Sequence, residues 1–380
     1  MSRATPLYNE SELAKTVFGK AGLDAIIVRS GQNVAYLSGM RFPGTLGRLQ
    51  DFVHSPRGAI VVMSPNEEPT LIVSRIAAGV ARQWSWVEDL SEFTEYIDSP
   101  YALAASALRK RRLADKRIGI ERRLMTATQW EGLRAELPRA ELVDCTDLLE
   151  GVRNMKTASE VAILKHGADV QDDAYLEVFQ SARAGDTERE LHARMIAGLL
   201  RRGVESAHGI MQSSRNPVTV YGGESDVPVE QGDLLRTDYV SYSEGYAANL
   251  TRMAVMGPPS PAQQERYAIL VDIHRGLISH TIRPGATAAD VYDSYRQRCV
   301  DAGYPKVNSL VGHHVGVWWH QEEPMLVPGE PRTLEPGMVI CLEPVVDGYW
   351  HLQDELLITA HGCDLLSDRF DTDTLFVMGG

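Results

Sequence analysis

Short apolar runs bounded by turn-forming residues open the chain. DAIIVRS (24–30), GAIVVMSP (58–65), TLIVSR (70–75) and RIGIE (117–121) are rich in Ile and Val and too short for helices, so each reads as a buried strand. Between them lie segments with helical spacing, such as SPYALAASALRKRRLADK (99–116). Strands alternating with helices predict an α/β layer around a largely buried sheet. Near residue 155 the pattern changes. Thr157 or Ser159 starts a helix, and apolar positions then recur at helical spacing through 159–182 and again through 187–202. A Gly- and Pro-rich region follows, holding LLRTDYVSYSEGYAANLTR (234–252), whose alternation predicts two strands facing each other around Glu244 and Gly245. Helical patterns return over 260–280 and 287–302, and MVICLEPVV, HLQDELLIT and DTLFVMG close the chain as strands. This order fits an α+β domain in which helices cover one face of an antiparallel sheet. A chain of 380 residues is too long for one ordinary core. Two domains are expected, an α/β domain over 1–155 and an α+β domain over 156–380.

Composition changes this picture mainly by exclusion. Lys plus Arg number 38 and Asp plus Glu 51, a net charge of −13, which argues against nucleic acid or an anionic membrane as partner. No run of about 18 apolar residues is present to span a membrane. The opening MSRATPLYNESELAK lacks the apolar stretch of a secretory signal. Cys145, Cys299, Cys341 and Cys363 are scattered, with no CxxC spacing, as expected of reduced thiols in a cytoplasmic protein. The basic run RKRRLADKR (109–117) reads as a solvated helix end.

Three segments of the second domain collect polar residues between apolar flanks. The strand pair carries Asp238 and Asn249. VGHHVGVWWHQEEP carries His313, His314 and His320. CLEPVVDGYWHLQDELLIT carries Glu343, Gln353, Asp354 and Glu355. Singly, each is an ordinary strand or core polar residue; their order and spacing as a set carry the weight.

That set resembles the pita-bread superfamily, which includes methionine aminopeptidase, Xaa-Pro aminopeptidase, prolidase and creatinase. The resemblance extends over nearly the whole chain: NVAYLSGM (33–40), RNMKTASEVAILKHGA, the strand pair, the GH-x-x-G-x-x-x-H segment, EPGM-x-x-x-x-EP (335–344) and a final Gln-Asp strand. In the peptidases of this superfamily five side chains bind two metal ions. By resemblance those positions are Asp238, Asn249, His313, Glu343 and Gln353. Three match, and two are changed from carboxylate to the near-isosteric amide. A further family histidine falls on His320.

Divalent ions on oxygen ligands need anionic charge to offset lost hydration. With two carboxylates replaced, the resemblance points toward creatinase, which implies a metal-independent hydrolase cleaving a C–N bond in a small polar molecule. No cofactor is then expected. Asp238, Glu343, His313 and His320 would be catalytic, as acid–base groups or with a carboxylate as nucleophile. Asn249 and Gln353 would orient the substrate. SSRNPVT (213–219) also resembles creatinase, with Arg215 in place of its catalytic histidine, and an arginine there would bind a substrate carboxylate rather than act as base. Trp319 would wall the site. By analogy with two-domain members, the protein would be a homodimer in which the N-terminal domain of one subunit lies near the site of the other and supplies Arg41 and Phe42. The alternative is an Xaa-Pro-type aminopeptidase or dipeptidase holding one atypical divalent ion, Mn, Zn or Fe. A further alternative is a non-catalytic peptide-binding protein on the same scaffold.

Overall fold

The computed structural model describes residues 5–41, 58–216, 222–318 and 320–379. It divides into two compact units, Met1–Thr157 and Ala158–Gly380.

In the first unit the apolar runs become the strands of one mixed sheet: β1 (Ala25–Val28), β2 (Ala59–Met63), β3 (Thr70–Ser74), β4 (Asp89–Phe93), β5 (Arg117–Ile120) and β6 (Glu141–Asp144). Their order is β4-β3-β2-β1-β5-β6. β2 runs antiparallel to both β1 and β3, and the other neighbours are parallel. Every residue of β1, β2 and β3 is buried, which is why these strands read as continuous apolar runs without alternation. The helix Pro100–Lys110 starts with Pro at its first position. The Ser99 hydroxyl accepts from the Ala102 backbone N–H, and Ala104, Ala105 and Leu108 are buried.

The second unit holds the helices α1 (Ala158–Ser181), α2 (Glu188–Arg201), α3 (Pro261–His280) and α4 (Ala288–Asp301). Its strands are β7 (Ser206–Ser213), β8 (Leu234–Ser243), β9 (Tyr246–Leu250), β10 (Met253–Met256), β11 (Gly312–His314), β12 (Val339–Leu342), β13 (Val345–Val346), β14 (Trp350–His351), β15 (Asp354–Ile358), β16 (Cys363–Leu365) and β17 (Phe376–Met378). One sheet runs β17-β10-β8-β7 with β9 also on β8, and a second runs β11-β12-β15-β16. Both are antiparallel except for the pair β10–β17. α1 and α2 bury Tyr175, Phe179, Leu191 and Met195 against Tyr239 and Leu250 of the first sheet.

The β8–β9 hairpin turns on Glu244 and Gly245, both at positive φ, the backbone of a two-residue turn whose twist matches the strands. Its register sets Val240 opposite Asn249 and Tyr239 opposite Leu250. On the other side of β8, Gly209 of β7 must be glycine, because a Cβ there would run into the Asp238 carbonyl oxygen and the Tyr239 ring.

The two sheets meet at residues 249–252 and 353–355. Thr251 and Gln353 form a reciprocal backbone pair, with N–H···O distances of 3.3 and 3.2 Å. Beside it lies Arg252, wholly buried. Its guanidinium lies 2.8 Å from Asp172 of α1 and 2.9 Å from Asp354 of β15, and it donates to the Gln353 carbonyl at 2.6 Å. Both aspartates are also wholly buried. All four cysteines are free thiols. Among the described residues no helix is long and apolar enough to cross a membrane.

Removing one partner of a buried charge cluster strands the others without solvent or counter-charge. Arg252→Met is therefore expected to lower the unfolding free energy by about 3–5 kcal/mol in urea titrations. An exposed pair such as Arg189 with Asp226, whose side chains are 61% and 80% exposed, should change stability by less than about 1 kcal/mol when broken.

Candidate active site

Strand alternation puts Arg236 and Asp238 on one face of β8. Asn249 comes from β9, His313 from β11 and Glu343 from the end of β12. His351 of β14 and Gln353, just before β15, come from one short extended stretch. A cavity of about 350 Å³ opens among them, with Arg236, Asp238, Asn249, His320, Glu343 and His351 in its wall.

The two amides form a continuous hydrogen-bond chain. Asn249 Nδ2 donates to Asp238 Oδ1 and to the Tyr239 carbonyl, both at 3.0 Å. Two acceptors on that nitrogen fix which way the amide points. Asn249 Oδ1 must then face a donor, and it accepts from Gln353 Nε2 at 2.8 Å. The same nitrogen lies 3.5 Å from His313 Nε2, while Gln353 Oε1 accepts from the Thr251 hydroxyl at 3.1 Å.

The imidazoles are equally constrained. His313 Nδ1 donates to the His314 carbonyl at 2.9 Å, which leaves the lone pair on Nε2. That Nε2 is 3.7 Å from Glu343 Oε1, an oxygen with no hydrogen-bond partner. Arg236 can only donate, so its 3.0 Å contact with His351 Nδ1 puts the His351 proton on Nε2. Nε2 lies 3.6 Å from Glu343 Oε2. Glu343 thus faces one imidazole through each oxygen.

Burial dominates the titration of these groups. It pushes the Glu343 carboxyl up to about 8, helped by nearby Asp238 and opposed by Arg236. It raises Asp238 above the usual carboxylate range, against the Asn249 hydrogen bond and Arg236. It lowers His313 to about 4 and His320 to about 3, with His313 and His208 adding to the effect on His320. His351 falls well below 6.5, first through burial and then through Arg236.

Of the residues singled out in the sequence, Asp238, Asn249, His320 and Glu343 line the cavity, and His313 and Gln353 touch its wall from behind. Arg215 does not line it. Its side chain is 45% exposed and held by Asp233 at 2.9 Å and Glu230 at 3.5 Å. Arg41 belongs to the N-terminal unit, where its guanidinium lies 5.1 Å from the centre of the Trp84 ring. Phe42 and Trp319 fall outside the described residues. Trp318 stacks on Tyr242 with ring centres 5.8 Å apart. Sequence reasoning missed Arg236 and His351, 2% and 1% exposed. The signal was there: Arg236 shares a face of β8 with Asp238, and His351 lies two residues before Gln353 in the same extended stretch.

Residues 162–365 match the model of metallopeptidase family M24, and residues 12–155 match the creatinase/prolidase N-terminal domain. The chain belongs to metallopeptidase family M24. It is thereby a member of the pita-bread superfamily, a hydrolase scaffold for C–N bonds. A curated Bacillus subtilis protein described as an uncharacterised peptidase is 26% identical over 92% of this chain and 95% of its own length. The Xaa-Pro dipeptidase of Lactobacillus delbrueckii subsp. lactis is 28% identical over 83% of this chain and 86% of its own. The X-Pro aminopeptidase structure from Thermotoga maritima superposes with a TM-score of 0.82 at 21% identity, covering 97% of this chain and 99% of that one, a likeness of fold. These findings overturn the expectation of a metal-independent, creatinase-like hydrolase without cofactor. A metallopeptidase family whose relatives are dipeptidases fits the Xaa-Pro alternative instead.

The donor set suits one ion better than two. His313 holds the tautomer of a metal-ligating imidazole, its other N–H on a backbone carbonyl. Glu343 Oε1 is an unpartnered anionic oxygen beside it, and Asp238 shares the cavity. Between Asp238 and His313 stand the side-chain amides of Asn249 and Gln353, with their N–H groups on Asp238 and facing His313. Among the described residues, no three His, Cys, Asp or Glu side chains are already gathered as a ligand cluster.

Glu343 and Glu355 are both pushed up to about 8, chiefly by burial. Between their ordinary 4.5 and about 8 the unfolded chain has lost these protons and the folded chain keeps them, so stability falls as pH rises. The buried imidazoles act oppositely, but only below 6.5. In chelator, urea midpoints should therefore drop between pH 6.5 and 8, with a limiting slope of about 1.4 kcal/mol per pH unit for each glutamate, and level off above.

Proposed function

We propose that the chain is an Xaa-Pro-type dipeptidase or aminopeptidase that hydrolyses short peptides with the help of one divalent ion. The observation that supports this reading is the Glu343–His313 pair. An unpartnered carboxylate oxygen and an imidazole lone pair stand 3.7 Å apart at a polar cavity that also holds Asp238 and His320. Relatives named Xaa-Pro dipeptidase supply the substrate class.

Glu343 and His313 are the side chains that would hold the ion, with Asp238 across the cavity from it. When bound, a divalent ion polarises the scissile carbonyl and lowers the pKa of water. The rest of the work falls to the cavity wall. Asp238 accepts a proton from the attacking water through the oxygen that Asn249 leaves open. His320, kept neutral by burial, can donate one ring N–H to the peptide carbonyl. Arg236 fixes a positive charge beside the site, which favours the negative charge developing on that oxygen, and it also holds His351 against Glu343.

Purified protein supplied with Mn, Co or Zn should release proline from dipeptides such as Ala-Pro and Met-Pro, and chelator should abolish the release. Lack of proline release with any of these ions, followed by chromatography of the free amino acids, would sink the reading. Glu343→Gln, which removes the anionic ligand, should lower kcat by about 10²-fold or more and weaken Mn²⁺ uptake while leaving far-UV circular dichroism unchanged.

A further inference from the structure

We infer that this active site admits at most one divalent ion per chain, because a closed chain of amide hydrogen bonds occupies the space a second ion would need. The inference rests on the reading of the cavity as the site of an ion-assisted hydrolase. It concerns how Asn249 and Gln353 have rebuilt that site.

All four amide hydrogens are accounted for. Asn249 Nδ2 serves Asp238 Oδ1 and the Tyr239 carbonyl, and Gln353 Nε2 serves Asn249 Oδ1 and faces His313 Nε2. Both amide oxygens are engaged as well, one by Gln353 and the other by the Thr251 hydroxyl. A cation placed between His313 and Asp238 would therefore meet the positive ends of N–H bonds where it needs lone pairs. Asn249 and Gln353 are 3% and 0% exposed, so their amide groups have little room to turn away.

The same chain links the sheets directly. It runs from β8 through β9 to the residue before β15 and on to β11, so it spans both sheets with neutral groups. Four carboxylates in this space would repel one another until ions bound. With two of them replaced by amides, the site can close on itself without metal.

The test is metal stoichiometry on the chelator-stripped full chain. Native mass spectrometry and isothermal titration calorimetry with Mn²⁺ should give no more than one equivalent for the wild type. Asn249→Asp with Gln353→Glu should bind one equivalent more. That double variant should also melt at a lower temperature than wild type in chelator and recover with Mn²⁺, whereas the wild-type melting temperature should depend far less on the ion. Two equivalents on the wild type, or no additional ion on a folded double variant, would overturn the inference. If the double variant does not fold, the wild-type count decides alone, since two ions refute the inference and one or none supports it. One ion without proline release would spare this inference and sink the proposed activity. Two ions with proline release would do the reverse.

Discussion

Everything at the candidate site hangs from one seam, where residues 249–252 of the first sheet meet residues 353–355 of the second. A single extended segment on each side supplies alternating groups to two environments. Asn249 and Gln353 turn toward the cavity and hydrogen-bond to each other at 2.8 Å. Arg252 and Asp354 turn the other way and form a dry ion pair at 2.9 Å with Asp172. The seam is held by backbone hydrogen bonds between Thr251 and Gln353 and by Glu355 accepting from the Asn249 backbone N–H at 2.9 Å. Because β-strand side chains alternate, a slip of one residue would exchange the amide pair with the ion pair and put charge where the cavity needs neutral donors. The buried guanidinium therefore fixes register as much as it stabilises.

The seam also accommodates amides at the two positions where the family resemblance expects acids, with the fold unchanged. An amide has nearly the shape of a carboxylate, so β9 and the segment leading to β15 pack as they would with acids. What changes is sign: each replacement removes an anion and adds N–H donors. The lost charge is felt by Glu343, which keeps Asp238 as an anionic neighbour and has Arg236 as its offsetting cation. Its carboxyl sits high on the pH scale because burial, helped by Asp238, outweighs the pull of Arg236. Bringing a cation to His313 and Glu343 must first displace that proton, which couples ion binding to pH.

The fold was legible in the sequence because it depends on periodicity and turns. Continuous Ile and Val runs marked strands buried on both faces, and Glu244-Gly245 between alternating segments marked the hairpin that brings Asn249 to Asp238. Arg236 and His351 were equally accessible through the period of two, but the ligand pattern drew the eye to Asp238 and Gln353 and past their strand neighbours. Arg215 was misleading for the opposite reason. The phrase around it suggested a substrate contact, while its real partner, Asp233, lies 18 residues on and is brought to it by a strand pairing that spacing does not reveal. Charge counting went furthest astray. It weighed the two lost carboxylates above the scaffold that retains His313, Glu343 and Asp238, and family membership corrects that weighting.

Arg236 shows why counting ligands alone is a poor guide to such a site. A guanidinium is permanently charged and cannot coordinate a cation, so beside two carboxylates it acts as a built-in counter-ion. It also sets the His351 tautomer, and through it which face of the imidazole meets Glu343. A site with Arg236, two amides and two carboxylates is close to electroneutral when one carboxyl keeps its proton. That near-neutrality lets these groups be buried together, and it leaves only modest negative charge to attract a divalent ion. On the proposed reading, weak and pH-dependent uptake of a single ion follows from this arrangement.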